Sequence, residues 1–149
     1  MKAIIEKVTL QGFFKAKIYR AGKLIEVYES KNLITNVAKI TMAQLLAGET
    51  AGKSITKIGF GTNSADPTVT DISLTNQFTK SISGFLYPEP GTVLFNWELL
   101  VTENNGMAIC EFGLITDNGT LFARRSRENP INKASDISIE GSWAIKFLN

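Results

Sequence analysis

The stretch Ser54–Asp71, SITKIGFGTNSADPTVTD, divides this chain into two kinds of structure. It opens as a strand over Ile55–Phe60, with Ile55, Lys57 and Gly59 on one face and Thr56, Ile58 and Phe60 on the other. At Gly61 it breaks into a loop of small and polar residues, Thr62–Ser73, that contains Pro67. One helical pattern precedes this joint, and almost everything after it alternates with the period of a strand. A chain built this way has to bury a mostly β body against a single short helix.

The helix is expected over Val37–Ala47, where Val37, Ile40, Ala43, Leu46 and Ala47 recur at three- and four-residue steps. Lys39, Thr41 and Gln44 fall mostly on the other side, so the apolar face reads as the one that packs on the core. Thr35 or Asn36 caps the start, because a side-chain oxygen there accepts a bond from a free amide. Gly48 suits the left-handed turn that ends a helix.

The strands come in pairs separated by turn residues. Ala3–Leu10 alternates loosely, and Gln11-Gly12 interrupts it. Phe13–Arg20 and Lys23–Tyr28 flank Ala21-Gly22 and read as a hairpin with mixed faces, suited to an edge or to a partner. Phe78–Tyr87 and Thr92–Val101 surround Pro88-Glu89-Pro90-Gly91 as a second hairpin. In its return arm Val93, Phe95, Trp97, Leu99 and Val101 share a face that should be core. Ala108–Thr116 and Thr120–Arg127 meet at Asp117-Asn118-Gly119, and Asn-Gly is among the strongest hairpin signals. Glu128–Ala134 is a loop with Pro130. Asp136–Leu148 places Ile137, Ile139, Gly141, Trp143, Ile145 and Phe147 on one face, with Gly141 marking a bulge or a close backbone approach.

At 149 residues the chain fits a single domain, 1–149, large enough for a real core. Residues 1–31 form an N-terminal hairpin region, a candidate assembly arm, and 32–149 a helix-plus-sheet body. The expected fold is mainly β: an antiparallel β-sandwich or open barrel with one short α-helix. Thr92–Val101, Ala108–Thr116, Thr120–Arg127 and Asp136–Leu148 are expected to form a contiguous meander.

Composition narrows the chemistry. There is no histidine, which removes Ser-His-Asp and Cys-His arrangements and histidine-containing zinc sites. The single cysteine, Cys110, cannot form an internal disulfide and reads as a small buried hydrophobe in a reduced cytoplasm. Asn63, Asp66 and Asp71 do not match the spacing of a calcium loop, so no metal and no cofactor are expected. A net charge of +2 is too small to argue for nucleic acid. No apolar run approaches the roughly 20 residues that cross a bilayer, and MKAIIEKV lacks a signal-peptide cleavage site, so no membrane insertion is expected.

Arg124, Arg125 and Arg127 are the only basic cluster, with Arg125 and Arg127 on one face and Arg124 on the other. They read as a solvated edge or a salt-bridged contact between subunits. Tyr87 beside Glu89, and Asn104-Asn105 in a turn, are the candidate ligand-facing residues, an aromatic with amides or carboxylates near it.

Several separated stretches resemble small tail proteins of tailed bacteriophages and prophages, of the tail-fibre or tail-collar type. They are Asn32-Leu33-Ile34-Thr35-Asn36, Leu45-Leu46-Ala47-Gly48, Ile55-Thr56-Lys57-Ile58-Gly59-Phe60-Gly61-Thr62 and Pro67…Leu74-Thr75-Asn76. In the second half they are Asn104-Asn105-Gly106-Met107, Glu111-Phe112-Gly113-Leu114 and Asp117-Asn118-Gly119-Thr120-Leu121-Phe122-Ala123-Arg124. The resemblance implies a non-enzymatic structural component of a phage tail or tail-like particle: made in a bacterial cytoplasm, homo-oligomeric, and in contact with other tail, fibre or baseplate proteins. Assembly is expected through sheet edges and loop faces, with the N-terminal hairpin and the Arg124–Arg127 edge as the contacts. The alternative is a receptor- or glycan-binding module at a fibre tip.

Overall fold

The protein, a computed structural model, is described at Ile4 and over residues 6–148. Its strands are β1 (Thr9–Arg20), β2 (Lys23–Ile34), β3 (Ile55–Gly61), β4 (Phe78–Ser81), β5 (Gly84–Leu86), β6 (Thr92–Leu99), β7 (Ala108–Thr116), β8 (Leu121–Asn132) and β9 (Ile137–Leu148), with one helix, α1 (Asn36–Leu46). They form one antiparallel sheet in the order β4-β3-β7-β8-β2-β1-β9-β6-β5, curled into a half-barrel. The mainly β fold with one short helix is thus the expected one, in its open-barrel form.

Curling lets strands far apart in the sheet face each other across the core. Phe14 of β1 lies 4.6 Å from Phe112 of β7 between ring centroids, and Phe60 of β3 lies 5.6 Å from Trp97 of β6. These rings, with Trp143, Leu99, Ile139 and Ile109, are buried and hold the two halves together. Each such side chain contributes about 1.5–3 kcal/mol by leaving water.

The N-terminal hairpin is not an arm. β1 pairs with β9 from Thr9↔Leu148 to Arg20↔Ile137, and on its other side with β2, so it is an interior strand. Phe14, Ala16 and Ile18 point into the core. Gln11-Gly12 does not interrupt it: the strand runs through, and Gly12 leaves the space that the Asn32 side chain fills. Of the expected strand Ala3–Leu10, only Thr9 and Leu10 belong to β1; residues 1–3 and 5 lie outside the described residues.

This placement also breaks the expected meander. The hairpin separates β8 from β9, and β6 pairs with β9 and β5 rather than with β7. Of the four strands of that expected meander, only β7 and β8 are neighbours both in sequence and in the sheet, through the Asn118-Gly119 turn.

The expected strand Phe78–Tyr87 is two strands. Phe78–Ser81 pairs with β3 at one edge of the sheet, and Gly84–Leu86 pairs with β6 at the other. Ile82 donates to Thr56 O at 3.0 Å and Ser83 to Asn96 O at 2.7 Å, so two residues bridge the edges of the curl. β8 extends past Arg127 to Asn132, correcting the expected loop. Glu111 pairs with Ser126 but Ile109 with Ile131, so 127–130 bulge out against one residue of β7. Pro130 sits in that bulge, where no ladder amide is needed.

The helix begins where expected. Thr35 caps it, its Oγ1 accepting from Ala38 N at 3.2 Å and donating to Leu121 O at 2.7 Å. Gly48, with φ of +88°, follows its end. Its buried face is the opposite one, however. Ala38 and Thr41 are buried with Met42 and Leu45 beside them, while Ile40 is 59% and Leu46 91% exposed. Both stripes have helical spacing; the bonds of Thr35 to β8 select the one with small Ala38 at the contact.

Candidate functional site

Strand β7 is buried on both faces, because the loop 62–76 folds over its outer side. Gly59 and Gly113 pair across β3 and β7, and Leu74 lies over them: Cβ atoms there would stand 2.8 and 3.2 Å from Leu74 Cδ1. The loop of small and polar residues is therefore a packed strap.

A buried ion pair anchors it. Glu111 on β7 and Arg124 on β8 have side chains 0% and 3% exposed, with Nε donating to Oε1 at 2.8 Å. The other oxygen of Glu111 accepts the strap amides of Asn63 at 2.9 Å and Thr75 at 2.8 Å. Arg124 Nη1 donates to Asp71 at 3.0 Å, and Nη2 to the carbonyls of Asn63 and Ala65. Burial pushes the Asp71 carboxyl up, but hydrogen bonds from the Thr68 amide and hydroxyl and from Arg124 outweigh it and hold it below its usual range. Two charges out of water are tolerable here because each guanidinium nitrogen and each carboxylate oxygen has at least one partner.

The three arginines thus part company. Arg124 is spent inside the chain and is not on an edge. Arg125 and Arg127 lie on the other face, as the alternation requires, over the ring of Tyr28 at 5.6 and 5.0 Å. Arg125 Nε donates to Tyr28 Oη at 2.7 Å, Tyr28 Oη to Ser126 O at 2.8 Å, and Arg127 pairs with Glu26 at 3.0 Å. Together they line the seam where β2 diverges from β8. Among the described residues, that edge is occupied by the chain's own side chains.

Asn104 and Asn105 serve the fold as well. Asn104 takes a positive φ of 55° in the turn, and its amide donates to Met107 Sδ at 3.2 Å. Asn105 Oδ1 accepts from buried Lys133 Nζ at 2.7 Å. Burial lowers the Lys133 ammonium below its usual range, while Glu103 and Asp136 nearby raise it. Lys133 also donates to the carbonyls of Val101 and Ala134, which closes the 100–107 loop onto the end of β8. Cys110 is buried, as expected. Asp71 is turned to Arg124, and among the described residues no three metal-ligating side chains gather.

Tyr87 is the one candidate ligand-facing residue that stands free, 73% exposed. It lines a cleft of about 650 Å³ with Pro88, Glu89, Pro90, Val93 and Phe147. Phe147, expected on the core face of β9, is an exposed wall of this cleft, since the strand has passed the end of the core there. Glu89 pairs with Lys146 at 3.0 Å and accepts from Thr92 Oγ1 at 3.2 Å.

Sequence reasoning missed Glu111, Asp71 and Lys133. The signal for Glu111 was present: it is the one charge in the run Ile109–Thr116, where every other residue is apolar, glycine or threonine. With Glu111 opposite Ser126, Arg124 is its diagonal neighbour across the strands.

Fold and sites together define a mainly β half-barrel with a strapped, fully satisfied ion-pair core and one open aromatic cleft. No family model, no curated protein and no solved structure matches the chain.

Proposed function

We propose that the protein is a non-enzymatic structural subunit that assembles with copies of itself and with neighbouring proteins in a phage tail or phage-tail-like particle. The observation that carries this reading is the apolar surface at the tip of the β1–β2 hairpin, where Leu24, Ile25 and Val27 are 51%, 52% and 47% exposed. Ile40 and Leu46 on the outer face of α1, beyond the other end of β2, are further exposed apolar side chains. Exposed apolar side chains clustered in this way mark contact sites, each square ångström buried contributing about 25 cal/mol. The edge strands β4 and β5 have four and three residues, too short for extended strand pairing, so the contacts are faces rather than edges. The deepest charged groups, Glu111, Arg124 and Lys133, are engaged in bonds that hold loops, which fits a structural role better than a chemical one.

The test has two parts. Sedimentation velocity of the purified chain should show a discrete oligomer, converted to monomer by Leu24→Ser with Ile25→Ser. After prophage induction, the chain should band with tailed particles on a density gradient at a fixed ratio to the tube protein. A monomer at all concentrations that stays wholly in the soluble fraction would overturn the reading.

A further inference from the structure

We propose that the cleft beside the β5–β6 turn is a binding site for a neutral carbohydrate. This goes beyond assembly and uses a different surface. The platform is Tyr87, and its ring is held although it stands in water. Buried Phe95 lies 6.5 Å from Phe85, and Phe85 meets Tyr87 edge-on at 5.8 Å, an aromatic ladder from core to surface. The turn is equally restrained. Pro88 and Pro90 fix φ, and Gly91 O accepts from Phe147 N at 2.9 Å, which ties the turn to the end of β9. Tyr87 and Phe147 therefore present apolar walls whose ordering cost is met by the fold rather than at binding.

The polar groups decide the class of ligand. Glu89 and Lys146 compensate each other at 3.0 Å, and Thr92 orients the carboxylate. A net-charged ligand meets no opposite net charge here. A sugar's hydroxyls can donate to Glu89, whose charge Lys146 balances from outside the cleft, while its C–H face lies on Tyr87 or Phe147. The cleft's volume of about 650 Å³ falls within the range of small-ligand sites.

Saturation-transfer NMR on the full chain tests this with neutral gluco-, galacto- and manno-oligosaccharides and a sialylated oligosaccharide as the charged probe. At least one neutral sugar should receive saturation on its ring protons. Tyr87→Ala should weaken that binding about tenfold or more, Tyr87→Phe should retain it, and Phe147→Ser should weaken it as a second variant. Ile25→Ser, on the hairpin tip, should leave it unchanged, which separates this site from assembly. No saturation of any neutral sugar at about millimolar concentration would overturn the proposal, as would binding of the sialylated probe alone or binding indifferent to Tyr87→Ala. Shifts of the Tyr87 signals on dilution without sugar, abolished by Tyr87→Ala, would also overturn it and make the cleft a contact between copies.

Discussion

Glu111 and Arg124 face each other across β7 and β8 at 2.8 Å, and between them they hold the amides of Asn63 and Thr75, the carbonyls of Asn63 and Ala65, and the carboxylate of Asp71. Five contacts from one loop converge on one buried pair. The pair is what converts residues 62–76 from a connection into a layer of the fold.

Removing either partner leaves the other charge buried without compensation. Glu111→Ala and Arg124→Ala should each lower stability by about 3–5 kcal/mol in urea unfolding. The double variant should lose less than the sum, because the two act as one unit. Limited proteolysis should cut within 62–76 faster in all three than in the parent chain. Additive losses with an unchanged cleavage pattern would refute this role.

Asp71 gives the strap a pH dependence with a definite sign. Its folded carboxyl titrates below its ordinary value of 3.8. Its contribution is therefore complete above that unfolded value and is lost as pH falls through the lower folded one. Asp71→Asn should be less stable than the parent at about pH 7, and the gap should narrow at about pH 2–3. Parallel stability curves for the two chains across that window would count against the assignment.

Gly141 is a packing position. It pairs with Trp97 across β9 and β6, and a Cβ on it would collide with the Trp97 indole at Cζ2 and Cε2. Gly141→Ala should displace the ring and destabilise by about 1–3 kcal/mol or more, with a shift in tryptophan emission. An unchanged thermal midpoint would show that the indole can move without loss.

The two tryptophans should respond differently to the same change. Trp143 Nε1 donates to Asn32 Oδ1 at 2.6 Å, whereas buried Trp97 Nε1 has no partner among the described residues. Trp143→Phe leaves Asn32 Oδ1 unsatisfied; Trp97→Phe removes an indole N–H that has no partner among the described residues. Trp143→Phe should therefore cost about 1 kcal/mol more than Trp97→Phe in chemical denaturation. The reverse order would refute the hydrogen-bond account.

Local chemistry in the chain is enough for several elements. The Asn118-Gly119 turn and the alternation on either side of it specify the β7–β8 hairpin, and Ala21-Gly22 specifies β1–β2. Thr35 and Gly48 bracket the helix. Each of these rests on neighbours a few residues apart, where backbone preference and hydrogen bonding act directly. The exposure of Tyr87 was also legible, because a ring beside two prolines in a turn has little core to enter.

Other features belong to no local stretch. Alternation says which side chains of β1 share a face, but not that its neighbour is β9, more than 100 residues away. That is settled by which apolar faces close on one another when the sheet curls. The helix carries two apolar stripes, and only the docking of Thr35 on β8 chooses between them. Arg124 reads as one of three surface cations until the loop 62–76 covers it. Sequence alone determined the mainly β class, the hairpins and the helix, because these follow from short-range periodicity and turn geometry. Tertiary structure decided the strand order, the buried Glu111–Arg124 pair and the cleft at Tyr87, because burial and charge pairing depend on what the rest of the chain brings alongside.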